Sequence, residues 1–285
     1  SLPRSDNMTI LLGSIGAVLL LAALAIQRYR FWRNEAVKMT QGAYLPPAPG
    51  RLATFTLKLV GRLAAFLFIG KIKVIGRQNA RYKGKLLIVG NHQFMLDVAT
   101  MSQSIPGAYR HLGKAAELKH PLRSFFAVWT GHFAAVVEAG KAQGGSEKVI
   151  EACAQALSGS NLLLFPQGKL VYDNVLRPDD FRTGAVRAAQ LCRSQYDQDV
   201  AFLPVGIHYH EEKSRRSWLY GLMNAIGFRQ FRRFPDSVKT RTFYGASVVI
   251  GKPIPLASLP ENPREATEML RQSIQDQLSQ AQNLD

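Results

Sequence analysis

The stretch Lys85–Asp97, KLLIVGNHQFMLD, decides how the rest of the chain is read. Leu86 to Val89 form an unbroken apolar run, the pattern of a strand buried on both faces of a parallel sheet. Gly90 ends the run, and His92 and Asp97 follow, five positions apart. On a continuous helix such residues stand about 140° apart and cannot share a proton. A turn that leads into a helix over LDVATMSQ brings them together. The stretch therefore predicts strand, turn and helix, with both titratable side chains at the strand exit. A carboxylate bonded to one imidazole nitrogen fixes the tautomer and leaves the other nitrogen as a base. No GxSxG elbow offers a protein nucleophile, so the pair suits direct activation of a substrate hydroxyl.

Strand and helix patterns alternate on both sides of this stretch. IKVIG (72–76), NLLLFPQG (161–168) and DVAFLPVGIHYH (199–210) read as strands. SEKVIEACAQALSG (146–159), FRTGAVRAAQLCRSQ (181–195) and Pro263–Leu284 read as helices. The alternation predicts an α/β fold, a mixed and largely parallel sheet flanked by helices. In open sheets of this kind functional residues gather at the carboxyl ends of strands, and GNHQFMLD, FPQG and LPVG are all strand exits. His208 and His210 alternate onto one strand face, but no carboxylate or cysteine spacing completes a metal site. Cys153 and Cys192 lie far apart in helical stretches and read as small buried residues.

Charge and hydropathy point to a membrane. Lys and Arg number 36 against 20 Asp and Glu, a net charge of +16, so an anionic partner is expected. Met8 to Ile26 is a run of nineteen residues without a charge, long enough to span a bilayer as a helix. Arg28, Arg30, Arg33 and Lys38 follow it and only Arg4 precedes it. The positive-inside rule then predicts a single-pass N-terminal anchor with the bulk of the chain on the cytoplasmic side. A cleaved signal peptide would carry its charges before the apolar run. After the breaker YLPPAPG, residues 51–70 place Arg51, Lys58 and Arg62 on one side of a helix. That helix reads either as interfacial, with its basic flank at the headgroups, or as a core helix with a solvated edge. Residues 213–241 carry eight cations against Asp236 alone, with interleaved aromatics. Beside an anchor this mixture suits an anionic lipid surface better than nucleic acid. Three regions are expected: an anchor over 1–27, a juxtamembrane linker and interfacial helix over 28–70, and a catalytic domain over 71–285.

The blocks in order resemble the glycerolipid acyltransferase family, whose lysophosphatidic acid acyltransferase-like members carry the HxxxxD motif. NHQFMLD matches its NHxxxxD block, and GKAAELKHP (113–121) its second stretch, with Lys114, Glu117 and Leu118. GHFAAVVE (131–138), FPQGKL (165–170), FRTGA (181–185) and LPVGI (203–207) follow in the family's order. The resemblance covers roughly residues 72 to 210. It implies that His92 is the general base and that Asp97 orients it. It also implies that Asn91, Lys114, Gln167, Gly168, Lys169 and Arg182 contact substrates, and that a backbone donor near Gly168 holds the oxyanion. No cofactor or metal is implied; acyl-CoA or acyl carrier protein enters as co-substrate, and a lipid hydroxyl accepts the acyl group.

Two positions depart from the family. Its phosphate-holding Arg falls at Val137, and its Glu-Gly-Thr-Arg reads Gln167-Gly168-Lys169-Leu170 here. Both planar forks suited to phosphate are lost. Either Lys169, Arg177, Arg182 or Arg187 substitutes for them on a lysophosphatidate-like acceptor, or the acceptor is less anionic, such as a glycolipid, a carotenoid glycoside or another lysolipid. A non-catalytic basic membrane-binding protein is the remaining alternative.

Overall fold

The computed structural model describes residues 4–41, 45–114, 118, 121–135, 137–138, 141–142, 145–213 and 242–284. Glu117, the basic aromatic stretch from 214 to 241 and the Lys114 side chain lie outside the described residues.

The chain begins with α1 (Arg4–Gln41) and α2 (Arg51–Ala64), then β1 (Lys71–Ile75), β2 (Lys85–Gly90), α3 (Asp97–Ser104), β3 (Tyr109–Lys114), α4 (Pro121–Trp129) and β4 (His132–Ala135). The short β5 (Val137–Glu138) and β6 (Lys141–Ala142) precede α5 (Gly145–Gly159), β7 (Asn161–Leu164), α6 (Gly184–Tyr196) and β8 (Val200–Tyr209). The described chain ends with β9 (Glu212–Lys213), β10 (Thr242–Phe243), β11 (Gly245–Ile250), β12 (Ile254–Pro255) and α7 (Pro263–Gln282). The main sheet runs β1-β11-β8-β2-β7-β3-β4, with β12 also paired to β8. β8, β2, β7, β3 and β4 are mutually parallel, whereas β11 runs antiparallel to β8 and carries β1 parallel to itself.

The apolar run of β2 is central and buried on both faces. Leu87 and Val89 join one core with α5, α6 and α7, while Leu86 and Ile88 join a second core with α3 and the Ala65–Ile69 turn that follows α2. Pro204 stands inside β8, where a missing N–H would ordinarily cost a ladder bond. Its carbonyl accepts from the Gly251 amide at 2.9 Å, in the gap between β11 and β12, so its nitrogen faces a side with no strand carbonyl to meet. Gly206 lets α7 lie directly on β8, because a Cβ there would collide with the backbone at Gln277 and Leu278.

α1 runs unbroken through the boundary expected at residue 27. Its C-terminal part packs on α4: Trp32, Ala36 and Met39 are buried, Tyr29 meets Phe125 at 5.5 Å, and Arg33 Nη1 donates to Ser124 Oγ at 3.1 Å. Ile15, Val18, Leu19, Leu20, Leu21 and Leu24 are exposed. Among the described residues two segments, Ser14–Met39 and Arg51–Ile69, are long and apolar enough to cross a membrane. α2 turns its small residues inward, with Ala53 and Gly61 buried and Gly61 against α3 at Ser102. Its large residues Leu52, Phe55, Leu59 and Leu63 form an exposed ridge that Phe66 continues just past the helix end.

Candidate active site

Because β2, β7 and β8 are parallel neighbours, their carboxyl ends meet at one edge of the sheet. β2 ends at Gly90, opposite Val205, where a Cβ would crowd the Met101 side chain at 2.7 Å and the Val205 carbonyl at 3.1 Å. Asn91, expected to touch substrate, is instead buried and extends the ladder with its side chain. Its Oδ1 accepts from the Ile207 amide at 2.7 Å, and its Nδ2 donates to the Ile207 carbonyl at 2.8 Å and to Asn174 Oδ1 at 2.6 Å. The chain leaves the sheet at His92 under tight control. The His92 amide donates to Gln167 Oε1 at 2.8 Å, and its carbonyl accepts from the Val171 amide at 2.7 Å.

Residues 93–96 turn back and α3 begins at Asp97, which brings the two titratable groups together. His92 Nδ1 lies 2.7 Å from Asp97 Oδ2. The same oxygen accepts from the amides of Gln93 at 2.9 Å and Phe94 at 3.0 Å. Asp97 Oδ1 accepts from the Tyr209 hydroxyl at 2.7 Å. The carboxylate is fully buried, a position sustainable only when its lone pairs are met by donors. An ionised carboxylate can only accept, so Nδ1 carries the proton and Nε2 is the basic nitrogen. The imidazole stacks on Phe165 at 4.2 Å with 10° between planes and keeps 22% side-chain exposure. Nε2 has no hydrogen bond among the described residues.

The loop after β7 forms the other wall. Gln167 is buried, and its Nε2 has no partner among the described residues. Gly168 takes the left-handed region, φ +62°, and its amide closes a turn onto the Phe165 carbonyl at 2.9 Å. That amide is therefore spent, and the oxyanion donor expected near Gly168 is not Gly168 itself. The four candidate cations separate cleanly. Lys169 pairs with Asp180 at 2.5 Å, Arg177 with Asp173 at 2.5 Å, and Arg187 with Glu147 at 2.6 Å. Arg182 is exposed, lies over Gly168 and has no acidic partner among the described residues. Its backbone amide donates to the Pro166 carbonyl at 3.1 Å, which ties it to the same turn. Lys114 ends β3, two strands from β2.

Neither cysteine competes as a nucleophile, since burial pushes the Cys153 thiol up to about 12 and raises Cys192 as well. His208 and His210 line one cavity with Gln93, Asp173 and Tyr209, and His210 Nε2 lies 2.9 Å from Ser247 Oγ. Sequence reasoning passed over Tyr209, which stands between them. The alternation of Leu203, Val205 and Ile207 toward the α3 side was the available signal.

A family model described as Acyltransferase matches residues 71–208. None of the curated proteins matches the chain. The fold is similar to the crystal structure of the 1-acyl-sn-glycerophosphate (LPA) acyltransferase PlsC from Thermotoga maritima. That likeness has 15% identity and a TM-score of 0.54, covering 80% of this chain and 79% of that one. The family match runs from the start of β1 into the end of β8 and contains both the His92–Asp97 corner and the Gln167-Gly168 turn, so an acyltransferase domain occupies residues 71–208 and the chain is an acyltransferase enzyme.

Proposed function

We propose that the enzyme transfers a fatty acyl group from acyl-CoA or acyl carrier protein to the hydroxyl of a lysophosphatidate-like glycerolipid. The observation that carries this reading is the His92–Asp97 pair, bonded at 2.7 Å, with no hydrogen bond on Nε2 among the described residues. Nε2 takes the proton of the acceptor hydroxyl as its oxygen attacks the thioester carbonyl. The tetrahedral intermediate collapses, the carbon–sulfur bond breaks, and the imidazolium returns the proton to the departing thiolate. Ester and free thiol result, with no acyl-enzyme. Asp97 holds the tautomer and balances the imidazolium charge. The Lys169 amide, next to the spent Gly168 amide and without a hydrogen bond among the described residues, is the nearest candidate to steady the oxyanion. Arg182, the cation left over by the ion pairs, would take the acceptor's phosphate.

Membrane attachment fits this chemistry, because acceptor and product stay in the bilayer. α1 would cross it with the catalytic domain on the cytoplasmic side, and the α2 ridge would lie in the interface with Arg51 and Arg62 at the headgroups. A second acceptor class is favoured by one observation: the two family arginine positions are Val137 and Leu170. An uncharged glycolipid or other lysolipid alcohol would then replace lysophosphatidate. Thiol release from long-chain acyl-CoA and from acyl carrier protein, measured with lysophosphatidate, other lysolipids and glycolipids, separates the two. Release dependent on lysophosphatidate and on His92 supports the first reading. Release with a neutral acceptor only supports the second, and none with any donor or acceptor defeats both.

A further inference from the structure

We propose that Tyr209 is a positioning residue for acyl transfer, its hydroxyl holding Asp97 and setting how firmly that carboxylate retains the proton on His92. The inference rests on the His92–Asp97 reading of the site. Tyr209 closes β8 and is 5% exposed, packed against the rings of Phe94 at 5.3 Å and Phe243 at 4.7 Å. Its hydroxyl lies 2.7 Å from Asp97 Oδ1 and 2.7 Å from Thr100 Oγ1. A phenol has one proton and an ionised carboxylate can only accept, so both directions follow. Tyr209 donates to Asp97, and Thr100 donates to Tyr209. The distance from Thr100 Oγ1 to the Leu96 carbonyl is correspondingly long, 3.4 Å.

The two oxygens of Asp97 thus have separate partners. Oδ2 receives His92 and two backbone amides, whereas Oδ1 receives only Tyr209 among the described residues. Burial first, and then the Asp97 charge, push the Tyr209 phenol well above its ordinary range, so it stays a donor at working pH. Tyr209 is the titratable group facing the pair from β8. The other packed side chains, Thr100 of α3 with Phe165 and Gln167 after β7, carry no charge. His208, His210 and Asp173 line one cavity with Gln93 and Tyr209 and are the titratable groups on that side of the pair. Removing the Tyr209 donor concentrates negative charge on Asp97. That holds the imidazolium proton more firmly and moves the acid limb of the rate profile upward.

The test uses the full chain in detergent micelles with isotope-labelled histidine, the His92 signal being assigned through His92→Gln. Tyr209→Phe should raise the midpoint of the His92 titration by about half a pH unit or more. It should also lower kcat about tenfold while KM for acyl-CoA stays within about twofold. Thr100→Val should raise the midpoint less, and it carries the same readout if Tyr209→Phe does not fold. An unchanged midpoint in a folded variant overturns the proposal, whatever its activity. Wild-type protein without acyl transfer would sink the proposed function instead, and the titration would still decide the role of Tyr209.

Discussion

Asp97 and Arg182 stand on opposite walls of one strand exit and are held in opposite ways. Asp97 is fully buried and meets four donors, from His92, Gln93, Phe94 and Tyr209. Arg182 is exposed, and its guanidinium has no partner among the described residues although Lys169, Arg177 and Arg187 all do. The difference is the one that the proposed roles of the two sides would require. A base and its orienting carboxylate act on a proton over a few tenths of an ångström, so their geometry must exist before substrate arrives. A group that recognises an anion finds its partner in the substrate, and an internal ion pair would compete with it.

Substitutions can break or sharpen this contrast. His92→Ala should have the largest effect, lowering turnover about 10³-fold or more while membrane association and fold persist. Thiol-release kinetics on purified variant decide it, and a variant that keeps most of its turnover would remove the pair from the mechanism. Asp97→Asn comes next, at about 10² to 10³-fold in kcat, because the amide allows the wrong tautomer and leaves an N–H aimed at donors. Wild-type rates there would restrict Asp97 to a structural role. On the opposite wall, Arg182→Ala should raise KM for lysophosphatidate about tenfold or more and leave kcat nearly unchanged. A fall in kcat at constant KM would place Arg182 on the catalytic side instead. Gly168→Ala is the smallest change. The left-handed backbone at φ +62° should cost about 1 kcal/mol of stability, visible as a modest drop in thermal midpoint. Arg182 lies 3.5 Å from the position of the new Cβ, so no collision adds to the cost.

The parts legible in the sequence were those written in neighbouring residues. The KLLIVG run became β2 over Lys85–Gly90, and NLLL became β7 over Asn161–Leu164. The turn from Gly90 to Asp97 folded as the five-residue spacing requires. Boundaries shifted where tertiary packing overrode local pattern. FRTG stays outside α6 until Gly184, because the Arg182 amide is committed to the Pro166 carbonyl. Tyr109 and Arg110 join β3, where β7 offers them an edge to pair with. Asn91 was read as substrate-facing, yet its carboxamide is consumed by Ile207, 116 positions away.

By itself the sequence determined the class of the fold and picked out His92 and Asp97 as neighbours across one turn. Both are encoded locally: apolar runs of strand length, a breaker glycine, and a histidine and an aspartate close enough for one turn to join them. Tertiary structure alone decided which groups hold that pair and which of the four candidate cations has no acidic partner among the described residues. Tyr209 reaches Asp97 across 112 positions, and Arg187 meets Glu147 across 40. Contacts at that range come from strand order and register, so the residues that make them bear no common pattern along the chain.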